Sequence, residues 1–476
     1  MTSTTQLSPL KSLEPLLIAR QLIREEFSTP LGYPGLWFYR DIYHLWYGGR
    51  WSIRTADEIT DQVKLAMENA YIWEERTDGP PLMTRYAPDP RKVDAIVWAL
   101  RTVCRYPNQT TPAFLHIEFP LNNGGEEGRV VTFLDRIAEV GGGELVLADM
   151  DERWFEPNML NVPYVEGAKC PLWLRCLDEW GGGDPLWGKL LQRWFGYCMM
   201  PHRTYAKWLL MYGKARSGKG TIAKVLKALM GSPTYLNTSL ATLSRQFGMT
   251  GVEHTRVLSI NEVNKLDSRE GEHCVQVLKS ILGQDPLDVE YKRQTISRNL
   301  QVDTAIMMQA NEIPRLPNKG EGLSSKMLVL PFDISFLGRE DDRLVYKLEQ
   351  ELPGIAQWGL EGAREIEGEK DPKVRWPRPG RAGAAIDSYH LMNNPLDSFL
   401  EARCVPDPEG FVATQFLWGS WKAWLEQNEI SIRIPRNQLA VQLEADSTWD
   451  IKRCRAYKGP RGLKGLRLLK TPDDIL

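Results

Sequence analysis

No run of 18 apolar residues occurs anywhere in the 476-residue chain, and no charged leader followed by a short apolar core stands at its start. Neither a membrane-spanning helix nor a secretory signal is therefore expected. Cysteine is sparse: seven residues, odd in number and scattered, with Cys170 and Cys176 the nearest pair. That excludes a disulfide framework and supplies no second pair for a zinc site, so reduced thiols in a cytosol are the expectation. Charge of one sign is lacking too. With 59 Lys and Arg against 61 Asp and Glu the net charge is −2, so any surface for nucleic acid must be local. Internal repeats and low-complexity tracts are absent, which excludes a solenoid.

What is present suffices for two to four domains with real cores, since 42% of residues are apolar. The chain is organised around YGKARSGKGTIAKVL (212–226). The apolar run WLLMY (208–212) ends in Gly213, and Lys214, Ala215, Arg216, Ser217, Gly218, Lys219, Gly220 and Thr221 follow. Ile222, Val225, Leu226 and Leu229 then recur at the i, i+3, i+4, i+7 spacing of a helix with one buried face. Strand, glycine loop and helix in that order predict a phosphate-binding loop, in which backbone N–H groups and a helix N-terminus face a polyphosphate. Lys219 would reach the β- and γ-phosphates. Gly220 stands where a Mg²⁺-binding hydroxyl normally follows the lysine, which moves the hydroxyl one place on, to Thr221.

Ahead of this stretch, residues 1–30 hold one short amphipathic helix (Leu13 to Phe27), too little for a catalytic domain of its own. GLWFYRDIYHLWYGGRWSIRT (35–55) predicts a hairpin turning at Gly48-Gly49, and helical patterns follow at 56–75 and 91–105. FLHIEF (114–119), VVTFL (130–134) and ELVLADM (144–150) read as strands. Residues 1–165 thus form an α/β domain whose many tryptophans serve mainly as core. Two helices fill a lead-in at 166–204, a nucleotide domain covers 205–368, and the Pro-, Gly- and Arg-rich 369–392 reads as a linker. Residues 393–476 carry helical patterns and end in IKRCRAYKGPRGLKGLRLLK (451–470), with eight Lys or Arg and no acid. Lys452, Arg453, Arg455 and Lys458 of that tail predict a phosphate-facing surface, and short helices before a basic hairpin suit a winged helix.

Beyond the loop, RVLSINEVN (256–264) is an apolar strand ending in a carboxylate. Glu262 is placed there to activate water or to help hold Mg²⁺, with Asn261 as neighbour where an aspartate is more usual. A second apolar strand, TAIMMQANEIP (304–314), ends in Asn311, whose amide can contact both a γ-phosphate and an attacking water. Between them LKSILGQDPLDVEYKRQT (278–295) turns at Gln284-Asp285-Pro286 with Lys279, Lys292 and Arg293 nearby, a hairpin able to grip a DNA backbone.

The loop, Glu262 and Asn311 together resemble a superfamily 3 helicase of the AAA+-related ring class, and more closely the helicase part of the poxvirus-type and phage or plasmid primase–helicases. CPLWLRCLDEW and LQRWFGYCMM are similar to that family's lead-in helices, and LKSILGQDPLDVEYK to its channel hairpin. NEIPRL and the block GLSSKMLVLPFDISFLGREDDRLVYKLEQELPGIAQWGLEG are similar to its post-sensor block, and NPLDSFLEARC to the opening of its winged helix. The resemblance implies an ATP- and Mg²⁺-dependent helicase of a phage or mobile element. It would form a ring, a hexamer, on single-stranded and duplex DNA, and work beside a separate primase or polymerase. Two departures stand out. The family's arginine before the strand read here as MLVLPF is Lys326, with Arg339 and Arg343 nearby, and no primase domain fits ahead of residue 35. The alternative is an initiator or regulator that binds DNA and uses ATP only to assemble; a small-molecule phosphotransferase would leave the basic tail and the chain length unexplained.

Overall fold

The computed structural model describes residues 7–106, 113–114, 129–141, 145–201, 205–231, 234–243, 245, 248–261, 268–289, 298–300, 302–314, 316, 322–393, 395–428, 430, 434–446, 449–456 and 459–469. Its centre is a five-stranded sheet of Trp208–Gly213, Tyr235–Thr238, Val257–Ile260, Ala305–Ala310 and Met327–Phe332. Across the sheet the order is 235–238, 257–260, 305–310, 208–213 and 327–332, and every pairing is parallel. Strands WLLMYG and MLVLPF read as unbroken apolar runs because both faces are covered. Leu209 and Met211 enter one core with helix Lys219–Met230 and the lead-in helices, while Trp208 and Leu210 enter a second core with helix Ser268–Gly283. That alternation is the two-residue period of a strand serving two layers.

The lead-in helices Pro171–Gly181 and Pro185–Met199 each begin with a proline, where its missing N–H costs no hydrogen bond. Pro185–Met199 crosses helix Leu352–Gly368 with backbones nearly touching: a Cβ on Gly196 would lie 2.2 Å from the Ala363 nitrogen. Gly196→Ala is therefore expected to force the helices apart and cost about 1–3 kcal/mol, the range for an overpacked core, read as a lower denaturation midpoint. An unchanged midpoint would show that the crossing yields freely.

Ahead of the sheet, helices Pro15–Glu25, Ala56–Glu68 and Pro90–Val103 pack on an antiparallel sheet of Leu36–Tyr39, Ile42–Tyr47 and Arg50–Arg54. The turn falls at Gly48-Gly49, and the predicted hairpin gains a third strand. Helix 56–68 stops short of 75, where Ala70–Arg76 pairs with Gly79–Tyr86 as a two-stranded ribbon. A further antiparallel sheet joins Val130–Thr132, Arg136–Glu139 and Val146–Asp149. Much of the expected strand 114–119 lies outside the described residues. This N-terminal half is tied to the central sheet by a buried ion pair, Arg256 to Glu156 at 2.6 Å, and by Asn161 N–H donating to Leu229 O at 2.8 Å.

The stretch read as a linker is helical over Ala382–Asn393. Ala382, Ala385, Ile386 and Tyr389 fall at i, i+3, i+4 and i+7 and cover the second face of the central sheet. Helices Pro395–Arg403, Thr414–Gln427 and Arg436–Asp446 follow, with an antiparallel sheet ordered Cys404–Ala413, Arg461–Leu468, Lys452–Arg455. Phe399, Trp421, Trp424, Leu443 and Leu463 fill the core between them.

Candidate functional site

Strand 208–213 runs into the glycine loop, and helix Lys219–Met230 starts directly after it. Gly213 has φ +137 and a Cβ there would lie 2.1 Å from Phe332 O, so only glycine lets the strand pass so close to its neighbour. The loop is clamped from outside by the segment after strand 327–332. Lys214 N–H donates to Phe332 O at 2.8 Å, Phe336 N–H to Arg216 O at 2.7 Å, and Ser335 Oγ to Ala215 O at 3.0 Å. Arg216 is held at φ +56, a left-handed conformation that arginine rarely adopts. On the other side the Trp180 ring closes on Gly218, where a Cβ would lie 2.7 Å from Cε2.

Lys219 folds back over this loop. Its Nζ donates to Gly213 O at 2.8 Å, to Lys214 O at 2.6 Å and to Ser217 Oγ at 3.3 Å. Burial pushes its ammonium down to about 8, because desolvation disfavours the charged form. A desolvated ammonium beside a helix N-terminus is a site for anionic oxygen.

Strand 305–310 pairs directly with 208–213, Met211 opposite Gln309 and Tyr212 opposite Ala310, so Asn311 emerges beside the loop. Three amides line up across neighbouring strand ends. Gln309 Nε2 donates to Asn261 Oδ1, and Asn261 Nδ2 donates to Asn237 Oδ1 at 3.3 Å. Loop, amides and lead-in helix enclose a cleft of about 1600 Å³, lined by Ala215 to Thr221, Asn261, Gln309, Asn311, Trp180, Phe336 and Arg339. It opens at the carboxyl ends of the strands, where α/β sheets bind their ligands.

Of the predicted residues, Lys219, Thr221 and Asn311 meet in this cleft, and Gly213 and Lys214 form the base of its loop. Glu262 lies outside the described residues, directly after Asn261, which lines the cleft. Lys292, Arg293 and Lys458 also lie outside them. Lys326 does not line the cleft: it ends the turn Ser324–Lys326 ahead of Met327, at the opposite, amino ends of the strands. Arg339, an alternative to it, lines this chain's own cleft.

In the basic tail, acids from outside the stretch 451–470 reach its cations, in the pairs Lys452–Asp450 (3.3 Å), Arg453–Glu444, Lys464–Glu409 (3.3 Å) and Arg467–Asp407 (3.5 Å). Arg455 donates to Gly459 O at 3.1 Å. Sequence reasoning also missed Gln309, Asn237 and Trp180. A glutamine inside the buried run AIMMQA was a usable signal, since an amide in a covered strand needs a partner; nothing local marked the other two.

A family of unknown function (DUF5906) matches residues 211–324, from the end of the loop strand to the turn before Met327. None of the curated proteins matches the chain. Among solved structures, the apo structure of the NrS-1 C-terminal region is similar at TM-score 0.51 and 13% identity, over 96% of this chain and 100% of that one. Two A-form apo structures of the same region align at TM-scores 0.46 and 0.45 with 11% and 12% identity, over 97% and 91% of this chain and 100% and 96% of theirs. The first likeness shows a shared fold.

Proposed function

We propose that the chain is an ATP-dependent DNA helicase of a phage or mobile element, with a P-loop core of AAA+ type and a C-terminal winged helix, assembled as a ring, a hexamer. The convergence of Lys219, Thr221 and Asn311 on one cleft at the strand ends carries this reading. The fold shared with the NrS-1 C-terminal region, and the six sequence blocks in the order of the phage or plasmid primase–helicases, support a place in phage replication, beside a separate primase or polymerase.

In this reading Lys219 leaves the loop carbonyls for the β- and γ-phosphates of ATP, and the loop N–H groups take the remaining oxygens. Asn311, one residue beyond Ala310, positions the attacking water or the γ-phosphate, and Glu262 accepts the water's proton. The Thr221 hydroxyl, which lines the cleft, would be the protein oxygen on Mg²⁺. Mg²⁺ commonly takes one or two protein oxygens and fills its shell with phosphates and water. When bound it neutralises charge developing on the phosphates.

The test is ATP turnover by the full chain with and without single-stranded DNA, together with strand displacement on a forked duplex. Stimulated turnover with displacement is expected; ATP binding with neither overturns the helicase reading in favour of an initiator that uses ATP to assemble. The hairpin Leu287–Val289 with Arg298–Leu300 is the part expected to touch the strand. Replacing Lys292 and Arg293 together by alanine should flatten the salt dependence of single-strand binding by about 0.7 per lost phosphate contact. Equal slopes would move the contact elsewhere.

A further inference from the structure

Two walls grip the phosphate loop, and one side chain outside the cleft joins them. The first wall is the end of helix Pro171–Gly181, where the Trp180 ring lies on Gly218. The second is the segment after strand 327–332, whose Phe332, Ser335 and Phe336 bond to Lys214, Ala215 and Arg216. Arg381 spans both. Its Nη2 donates at 2.5 Å to Gly181 O, beside Trp180, and its Nη1 donates at 2.6 Å to Asp333 Oδ2, beside Phe332. Gly181 O belongs to the last turn of its helix, where carbonyls lack intrahelical partners and a cation is favoured. Gly182 follows at φ +62 and leaves the guanidinium its place: a Cβ there would lie 3.4 Å from Arg381 Nη2. Beside this bridge Gly380 N–H donates to Asp184 Oδ2 at 3.1 Å, which fixes the same segment on the start of helix Pro185–Met199.

Arg381 directly precedes helix Ala382–Asn393, and the far end of that helix grips a third part of the cleft. Asn393 Oδ1 accepts from Leu316 N–H at 2.6 Å, and Asn393 Nδ2 donates to Pro314 O at 3.0 Å. Pro314 lines the cleft, three residues after Asn311. A helix of 12 residues is a rod of about 18 Å, so its two ends hold the loop and the Asn311 segment a set distance apart. The bridge adds little to the stability of the fold. The Arg381 and Asp333 side chains are 38% and 50% exposed, and exposed pairs contribute almost nothing. A planar, two-pronged guanidinium between walls distant in sequence instead fixes their geometry.

We propose that Arg381 and Asn393 are positioning residues for ATP turnover, set at the two ends of one helix. Arg381 keeps the walls of the phosphate loop at the spacing a triphosphate needs, and Asn393 holds the segment that carries Asn311 in register with them. Neither lines the cleft, so both act through the groups they hold. The role in turnover rests on the reading of the cleft as a nucleotide site; the hold on the loop does not.

The first measurement uses the full chain without nucleotide. In Arg381→Ala, hydrogen exchange is expected to quicken about tenfold over 213–218 and 333–336, the worth of a lost hydrogen bond to a charged group, and to stay unchanged in strands 235–238 and 257–260. The second uses ATP as the probe. Turnover should fall about 10²-fold, the cost of a misplacement of about 1 Å, while the melting temperature drops by no more than about 2–4 °C. Arg381→Lys should recover little, because a point charge reaches one wall and not both. Full recovery would reduce the bridge to its charge and overturn the proposal. Asp333→Ala carries the same expectation if Arg381→Ala does not fold, and the double variant should lose no more than either single one, since both act through one contact. Asn393→Ala should quicken exchange at Leu316 and lower turnover as well. Unchanged exchange over both walls overturns the proposal, as do normal turnover in Arg381→Ala or Asn393→Ala and losses that multiply in the double variant. If the unaltered chain binds no ATP at equilibrium, the reading of the cleft fails, while the exchange measurement still decides whether Arg381 holds the loop.

Discussion

Lys219→Ala is expected to bind ATP more weakly by about 10- to 100-fold, the worth of a hydrogen bond to a charged group, and to lose at least about 10²-fold more in turnover. The amine already sits within 2.6–2.8 Å of two loop carbonyls, so a triphosphate needs only to draw it across the loop. Lys219→Met keeps the buried stem and should stay folded with the same functional loss, which separates chemistry from packing. The pH dependence has a definite sign. In the free protein the ammonium titrates near 8, below an ordinary lysine at 10.5. Phosphate binding favours the charged form and raises that value, so affinity should fall up to tenfold per pH unit above about 8. For the fold alone the sign is opposite. The folded chain binds fewer protons than the unfolded one between about pH 8 and 10.5, so this group adds stability as pH rises through that window. Isothermal titration with ATP from pH 7 to 9.5, with Lys219→Met as control, reads the first effect, and denaturation midpoints over the same range read the second; a flat affinity profile for the wild type would remove Lys219 from the phosphates.

The strand, glycine loop and helix at 208–230 were legible because their signals are local. WLLMYG is apolar throughout, the glycines fall at the strand's end, and the next apolar residues switch to helical spacing within four positions. The same logic misled at 369–392, where prolines and glycines up to Gly383 masked the helical spacing of Ala382, Ala385, Ile386 and Tyr389. Contacts between distant segments left no local trace. Asn237, Asn261 and Gln309 come from three strands, and only the 235–238, 257–260, 305–310 order makes them neighbours. Trp180 meets Gly218 across one intervening helix and a strand. In the tail, a count over 451–470 finds eight cations, whereas Asp407, Glu409, Glu444 and Asp450 return four charges from outside it. Exposed pairs of this kind are worth about 0–1 kcal/mol each, yet they lower the net charge a DNA phosphate would meet.

The second large effect is expected at Glu262. Strand 257–260 ends at Asn261, whose amide is engaged on both sides: its oxygen accepts from Gln309 and its nitrogen donates to Asn237. An amide so held can fix the strand end and orient a water, but it has no basic oxygen to take a proton. Under the proposed function the acid–base role therefore falls to the next residue in the sequence, Glu262. Glu262→Gln is expected to bind ATP as the wild type does and to lose about 10²–10⁴-fold in turnover, the range for a positioned general base. Asn261→Asp tests the division of labour. Introduced beside an intact Glu262, the new carboxylate should disturb the contact with Asn237 and Gln309 and lower the melting temperature. Placed in the Glu262→Gln background, it should restore little turnover if position 262 alone faces the water. Single-turnover hydrolysis on pre-bound ATP measures the chemical step directly. Normal turnover in Glu262→Gln would move the base elsewhere in the cleft, to the acids Glu312 and Glu340 that also line it.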